Sequence, residues 1–252
     1  MTVVVAFYCS DGVVIAADSM LTPSMGGMGV GHHHGLKIAV LDGPQLFAFA
    51  GDQGQADRFK VMTNGSHGLI NQVAHPLDYA ITLSGSIIQQ FQTTGIGLQM
   101  INANTIVAFD KNGAHHCCVF EGPLQPRFLD VNHFYVALGS GKLSADPFLR
   151  FLVDIFCPGN VQPSVREGLF LATWAVQHVI DTNPGGVAGP IRVATFEREN
   201  GGGLTARSIP DGEIAEHQQA VESAAEALRT WRDQLQSGEA AGDAPAPPET
   251  PT

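Results

Sequence analysis

The chain reads as an α+β protein in which antiparallel strand pairs and helix pairs occupy separate layers. Three observations carry that reading. Strand-like segments come in adjacent pairs joined by turn residues, and helices follow in pairs, an order unlike the strict alternation of a βαβ chain. No Pro/Gly/Ser linker or composition break interrupts the 252 residues before about residue 237, so one large core is expected. Charged or turn residues interrupt every apolar stretch before it reaches the roughly 20 residues needed to span a bilayer.

Residues 3 to 8 and 13 to 18 are β-rich and meet at Ser10-Asp11-Gly12, a hairpin signal. Residues 37 to 41 and 46 to 50 repeat the arrangement around Asp42-Gly43-Pro44. Between the pairs, residues 23 to 35 hold five glycines (Gly26, Gly27, Gly29, Gly31 and Gly35) and read as a loop. Residues 52 to 63 and 75 to 92 read as helices. The second opens near Pro76 and places Leu77, Ala80, Ile81, Ser84, Ile87, Ile88 and Phe91 along one face. Residues 105 to 110 and 115 to 121 make a hairpin around Lys111-Asn112-Gly113, and residues 133 to 138 supply another strand. Helices return at about 143 to 156 and 164 to 182, before strands at 190 to 197 and 203 to 209.

From Asp211 to Leu235 the residues Ile214, Val221, Leu228 and Leu235 recur at seven-residue spacing, with Ala224 and Trp231 between them. A helix with one apolar stripe is expected there, buried on its own domain or in an oligomer contact. Residues 237 to 252, rich in Ala, Pro, Gly and Glu, read as a disordered tail.

A net charge of -11 without any Lys/Arg cluster argues against nucleic acid or an anionic membrane as partner. The first twenty residues lack a basic n-region, so a soluble, unexported, cytoplasmic protein is expected. Cys9, Cys117, Cys118 and Cys157 form no CxxC pair, and the neighbours Cys117 and Cys118 would point to opposite faces of a strand. They read as reduced core residues.

The chemistry centres on Thr2. Removal of Met1 would make it the N-terminus, joining a hydroxyl nucleophile to its own amine base. The free α-amine has a reference pKa of about 7.7 to 8.0 and titrates near working pH. Downstream lie Asp11-Gly-Val-Val-Ile-Ala-Ala-Asp18-Ser-Met-Leu-Thr22, Lys37-Ile-Ala-Val-Leu41, Phe49-Ala-Gly51 and Leu138-Gly-Ser140-Gly. Together these pieces, over roughly residues 2 to 209, resemble a proteasome β-subunit of bacterial type.

The resemblance implies a four-layer αββα sandwich of the N-terminal-nucleophile hydrolase type. It implies a threonine peptidase that cleaves peptides or unfolded proteins inside homo-oligomeric stacked rings, with an unfoldase or adaptor as an optional partner. No cofactor and no metal are implied. By position, Thr2 is the nucleophile, Asp18 and Lys37 its charged support, and Gly51 the site of the oxyanion amide. The resemblance further implies that Ser140 hydrogen-bonds near the amine, that Asp181 corresponds to a further aspartate near the active site, that Thr22 binds substrate, and that Phe49 aligns with a specificity-pocket residue, a core phenylalanine being the alternative reading. Residues 2 to 210 would be the catalytic domain, 211 to 236 an added helix and 237 to 252 the tail. Length and the added helix look closest to the betaproteobacterial proteasome homologue, then to Anbu-type subunits; dispensing with a propeptide resembles the HslV-type peptidases.

Two departures stand out. Pro184 sits three after Asp181, where the family has a serine, leaving Thr182 as a substitute. The Gly-rich loop is lengthened and carries His32, His33 and His34, whose adjacency lacks metal-ligand spacing; the resemblance places this segment along the side of the peptide-binding cleft and so implies a substrate-facing role. Gly139-Ser140-Gly141-Lys142 is no nucleotide-binding loop, because Leu143 and Val136 replace residues that phosphate chemistry needs. Lys37→Ala is expected to abolish hydrolysis with little loss of assembly. Two alternatives stay open: an N-terminal-nucleophile amidohydrolase acting on a small amide, and a non-catalytic ring scaffold.

Overall fold

A computed structural model describes residues 2–25, 28–29, 31–183, 186–198 and 202–237. Met1, Gly26, Gly27, Pro184 and the 238–252 tail lie outside the described residues. The chain opens with the antiparallel strands β1 (Val4–Tyr8) and β2 (Gly12–Ala17), paired from Val4 opposite Ala17 to Tyr8 opposite Val13. Four short strands follow, β3 (Met20–Leu21), β4 (Ser24–Met25), β5 (Met28–Gly29) and β6 (His33–His34). They correct the expectation of an irregular loop. β3 pairs with β6 and β4 with β5, so the segment folds back on itself and satisfies part of its own backbone.

Next come β7 (Ile38–Leu41), β8 (Gln45–Gly51), α1 (Gln53–Gly65) and α2 (Pro76–Thr93). Asp52 caps α1, its Oδ1 accepting from the Gln55 N–H at 2.8 Å. Pro76 opens α2, where its missing N–H has no helical partner to lose. Three strands then add to the same sheet region: β9 (Ala103–Lys111), β10 (Ala114–Glu121) and β11 (Gln125–Phe128). β11 escaped the pattern search because Pro126 lies inside it; as the outer strand of its sheet it tolerates a residue with no N–H. The chain ends with β12 (Tyr135–Leu138), α3 (Lys142–Phe156), α4 (Val165–Thr182), β13 (Arg192–Arg198), β14 (Leu204–Ser208) and α5 (Asp211–Ser237). A reciprocal pair at Ser164 and Glu167 starts α4, each side chain accepting from the other's backbone N–H.

The strands form two five-stranded sheets, ordered β12-β1-β2-β13-β14 and β11-β10-β9-β8-β7. Side chains alternate between faces along each strand, so a single strand feeds two cores. Val4 and Ala6 of β1 enter the layer between the sheets, with Ala17, Ala48, Ala50 and Ala108. Val5 and Phe7 instead meet Leu149 of α3 and Leu171, Ala175 and Val179 of α4. On the far side, Phe47 and Phe49 of β8 pack on Phe59, Tyr79, Leu83 and Phe91 of α1 and α2. Helices cover both outer faces of two stacked sheets, giving a four-layer αββα sandwich. Cys117 enters the inter-sheet layer and Cys118 the α1/α2 core, and all four thiols are free and buried. Burial raises the Cys117 thiol to about 12, leaving it unreactive.

The apolar stripe of α5 is divided. Ile214, Val221 and Ala224 are 4%, 7% and 8% exposed, packed toward α4, whereas Leu228 and Leu235 are 48% and 52% exposed. At about 1.5 Å per residue the helix outruns α4, so its first half is core and its second half is surface. Ile214→Ala should therefore lower unfolding free energy by about 2–5 kcal/mol, against less than about 0.5 kcal/mol for Leu228→Ala. Urea melts of both variants check this; equal losses would contradict the division.

Candidate active site

The site forms where one end of β1 meets the turns of both sheets. Thr2 is clamped there on both its backbone groups. Its N–H donates to Ser140 Oγ at 3.1 Å, and its carbonyl accepts from the Gly141 N–H at 3.0 Å. The clamp requires glycine at 139. This residue has φ of +88°, and a β-carbon on it would stand 2.2 Å from the Thr2 carbonyl oxygen. The Gly-Ser-Gly turn links β12 to α3, so the partner strand of β1 also delivers the groups that hold Thr2.

Behind Thr2 lies a buried ion pair. Lys37 Nζ donates to Asp18 Oδ1 at 2.6 Å, with both side chains 0% exposed. The same oxygen accepts from the Val3 N–H at 2.9 Å, and Oδ2 accepts from the Met20 N–H at 3.1 Å. Asp18 follows β2 and Lys37 precedes β7, so the pair ties the two sheets at the end where Thr2 sits. Burial lowers the Lys37 pKa from its ordinary 10.5, while the Asp18 charge and hydrogen bond oppose that shift. The unfolded chain consequently binds the proton more tightly. The stability contributed by this group rises with pH through a window below 10.5.

Thr2, Thr22, Gly51 and Ser140 all line one cleft of about 710 Å³. Gly51 has φ of +116°, and a β-carbon there would meet the Asn102 carbonyl oxygen at 2.1 Å. The β3/β6 ribbon and the residues that follow β3 bring Leu21, Thr22, Pro23 and His33 to the same cleft. His32 Nδ1 lies 3.2 Å from Thr22 Oγ1. Among the described residues no cluster of His, Cys, Asp or Glu has an arrangement that would hold a metal.

Two expected members are elsewhere. Phe49 is 5% exposed and faces the α1/α2 core; its neighbour Ala50, one step along β8, contributes to the cleft. The alternation of the strand decides this. Asp181 lies in the last turn of α4, accepts from Gln177 Nε2 at 2.8 Å and borders a separate cleft between α4 and α5. Thr182 is no substitute near Thr2, since its hydroxyl folds back onto the His178 carbonyl at 2.7 Å. Asn183 comes nearer, donating to Ser144 Oγ at 2.9 Å in the first turn of α3, just beyond the Ser140 turn. Sequence reasoning also missed Asp52, Gln53, Asn102 and Asn104, all on the cleft lining. The signal for them was positional: polar residues directly after β8 and at the start of β9.

The buried pair bears on the expectation that Lys37→Ala abolishes hydrolysis with little loss of assembly, because it adds a stability cost. Lys37→Ala leaves Asp18 as an uncompensated buried charge and should cost about 3–5 kcal/mol of stability. The double variant Asp18→Asn/Lys37→Met keeps an acceptor for the Val3 N–H and should recover most of that loss. Denaturant unfolding of both variants measures the difference, and a Lys37→Ala protein as stable as the parent would contradict the buried-pair account.

No protein-family model matches the sequence, and no curated protein matches it. The structure is similar to that of an Anbu (Gly-1) mutant from Hyphomicrobium sp. strain MC1. The two share a TM-score of 0.68 at 15% sequence identity over 93% of this chain and 97% of the other. At that identity the likeness establishes the architecture, a sandwich common to both chains, and leaves the chemistry to be argued from the site itself.

Proposed function

We propose that the protein is an N-terminal threonine peptidase of the proteasome-like type, acting on peptides or unfolded polypeptides after loss of Met1. One observation carries the reading. Thr2 lies on a cleft wall, its nitrogen bonded to Ser140 and the next N–H bonded to the carboxylate that holds Lys37.

In this scheme Met1 removal turns the Thr2 peptide nitrogen into an amine, and Ser140 Oγ accepts one of its hydrogens and aims the lone pair. The amine takes the proton of the Thr2 hydroxyl as Oγ1 attacks the peptide carbonyl. The developing oxyanion is stabilised by the backbone at Gly51, whose turn places it on the same cleft as Thr2. The ammonium returns its proton to the departing amine, and water then hydrolyses the acyl-threonine ester. The Lys37–Asp18 pair acts through position and field. Its lysine lowers the energy of negative charge at Oγ1, and its carboxylate fixes the backbone of Val3 and so the direction of Thr2.

A cleft of about 710 Å³ has room for the residues of a peptide on either side of the bond that Thr2 attacks. Assembly into homo-oligomeric rings is part of the proposal. Leu143, Phe151 and Ile155 of α3 are 87%, 50% and 53% exposed, large apolar side chains interspersed with the exposed Arg150 and Asp154, a mixed outer surface of the kind that self-association would cover.

Thr2→Ala should lose peptide hydrolysis by about 10⁴-fold or more, the scale on which removing a nucleophile acts. Thr2→Ser, which keeps both hydroxyl and α-amine, should remain active. Rates on a fluorogenic peptide decide; a Thr2→Ala variant with parental activity would refute the assignment.

A further inference from the structure

The lining of the cleft has a marked chemical bias. It offers the hydroxyls of Thr2, Thr22 and Ser140, the amides of Gln53, Asn102 and Asn104, and one carboxylate, Asp52. It contains no lysine and no arginine, it carries the imidazole of His33 on the ribbon side, and its apolar groups are the small or short Ala50, Leu21 and Pro23. Among the described residues the ion pairs leave Asp52 out, so its charge is uncompensated by any described lysine or arginine. Asp18, the other carboxylate close by, is fully buried and neutralised by Lys37.

From this lining we infer that Asp52 is a specificity-determining residue: it selects peptides with a lysine or arginine side chain beside the scissile bond, on the acyl side. The inference rests on the reading of Thr2 as nucleophile, because that assignment fixes where the scissile carbonyl lies. Asp52 directly follows Gly51, so a carbonyl held between Thr2 and the Gly51 turn brings its neighbouring side chains to this carboxylate. The N-terminus of α1 opposes the attraction with about half a positive charge, against the full negative charge of Asp52. The carboxylate therefore dominates, and the amide oxygens of Gln53, Asn102 and Asn104 supply neutral acceptors for the remaining ammonium or guanidinium hydrogens. The net charge of -11 adds a general pull on cationic peptides.

Asp52 is exposed, so its effect is that of an exposed ion pair, about fivefold at most in discrimination. The readout is the ratio of kcat/KM for two peptides that differ only in lysine against norleucine at the residue on the acyl side of the scissile bond. The parent protein should favour lysine by about three- to fivefold at low salt, and the ratio should fall toward one in 1 M salt, where the screening length is about 3 Å. Asp52→Asn should also bring the ratio toward one. Asparagine caps a helix as well as aspartate, so α1 is retained while the charge is lost. Thermal melting of the variant checks that the fold is intact. A parent ratio of one or below, or a ratio unchanged in Asp52→Asn, overturns the inference while leaving the nucleophile in place, provided a peptide epoxyketone still labels Thr2. Absence of both labelling and hydrolysis overturns the nucleophile assignment and this inference with it.

Discussion

One buried oxygen organises this protein. Asp18 Oδ1 accepts from the Val3 backbone and from Lys37, while its sister oxygen accepts from Met20. Those contacts join the first residues of the chain to the end of β2, to the start of the ribbon and to the strand that opens the second sheet. A carboxylate with no exposure must have its charge met inside the protein, and lysine with two backbone donors meets it. The consequence is a Thr2 whose position is dictated by core electrostatics, although its own side chain reaches the cleft.

The second constraint is steric. The Gly139-Ser140-Gly141 turn approaches the Thr2 backbone too closely for any side chain at 139, and Gly141 has its own neighbours in Val3 and Val179. Hydrophobic packing behind the turn, between β1, α3 and α4, thereby sets the distance at which Ser140 meets the Thr2 nitrogen. Packing, ion pair and hydrogen bond converge on one residue, which is the pattern expected of a preorganised nucleophile.

Much of the fold was legible because strand alternation and helix periodicity differ, and because the turns carry Gly, Asn, Asp and Pro. The hairpins at Ser10-Asp11-Gly12 and Lys111-Asn112-Gly113 and the helix opening at Pro76 were visible for that reason. β11 was hidden by Pro126, and the ribbon by its glycines, since both elements owe their existence to pairing partners far from any local propensity. At the site, order along the chain located Thr2, Asp18, Lys37, Gly51, Thr22 and Ser140 near one cleft or just behind it. It misplaced Phe49 and Asp181. Which face of β8 looks at the cleft, and that the last turn of α4 turns Asp181 toward α5, are tertiary facts that spacing does not encode. The exposure of Lys37 was likewise unreadable, because a lysine at the head of a strand looks solvated until its carboxylate partner is seen.

The central claim is that Thr2 carries the reactive group. Intact mass spectrometry of the folded protein, with and without a peptide epoxyketone, addresses it in one measurement. The account predicts a mass lower than the full sequence by one methionine residue and a single adduct mapped to Thr2. A folded protein that retains Met1 and forms no adduct under any condition would contradict it.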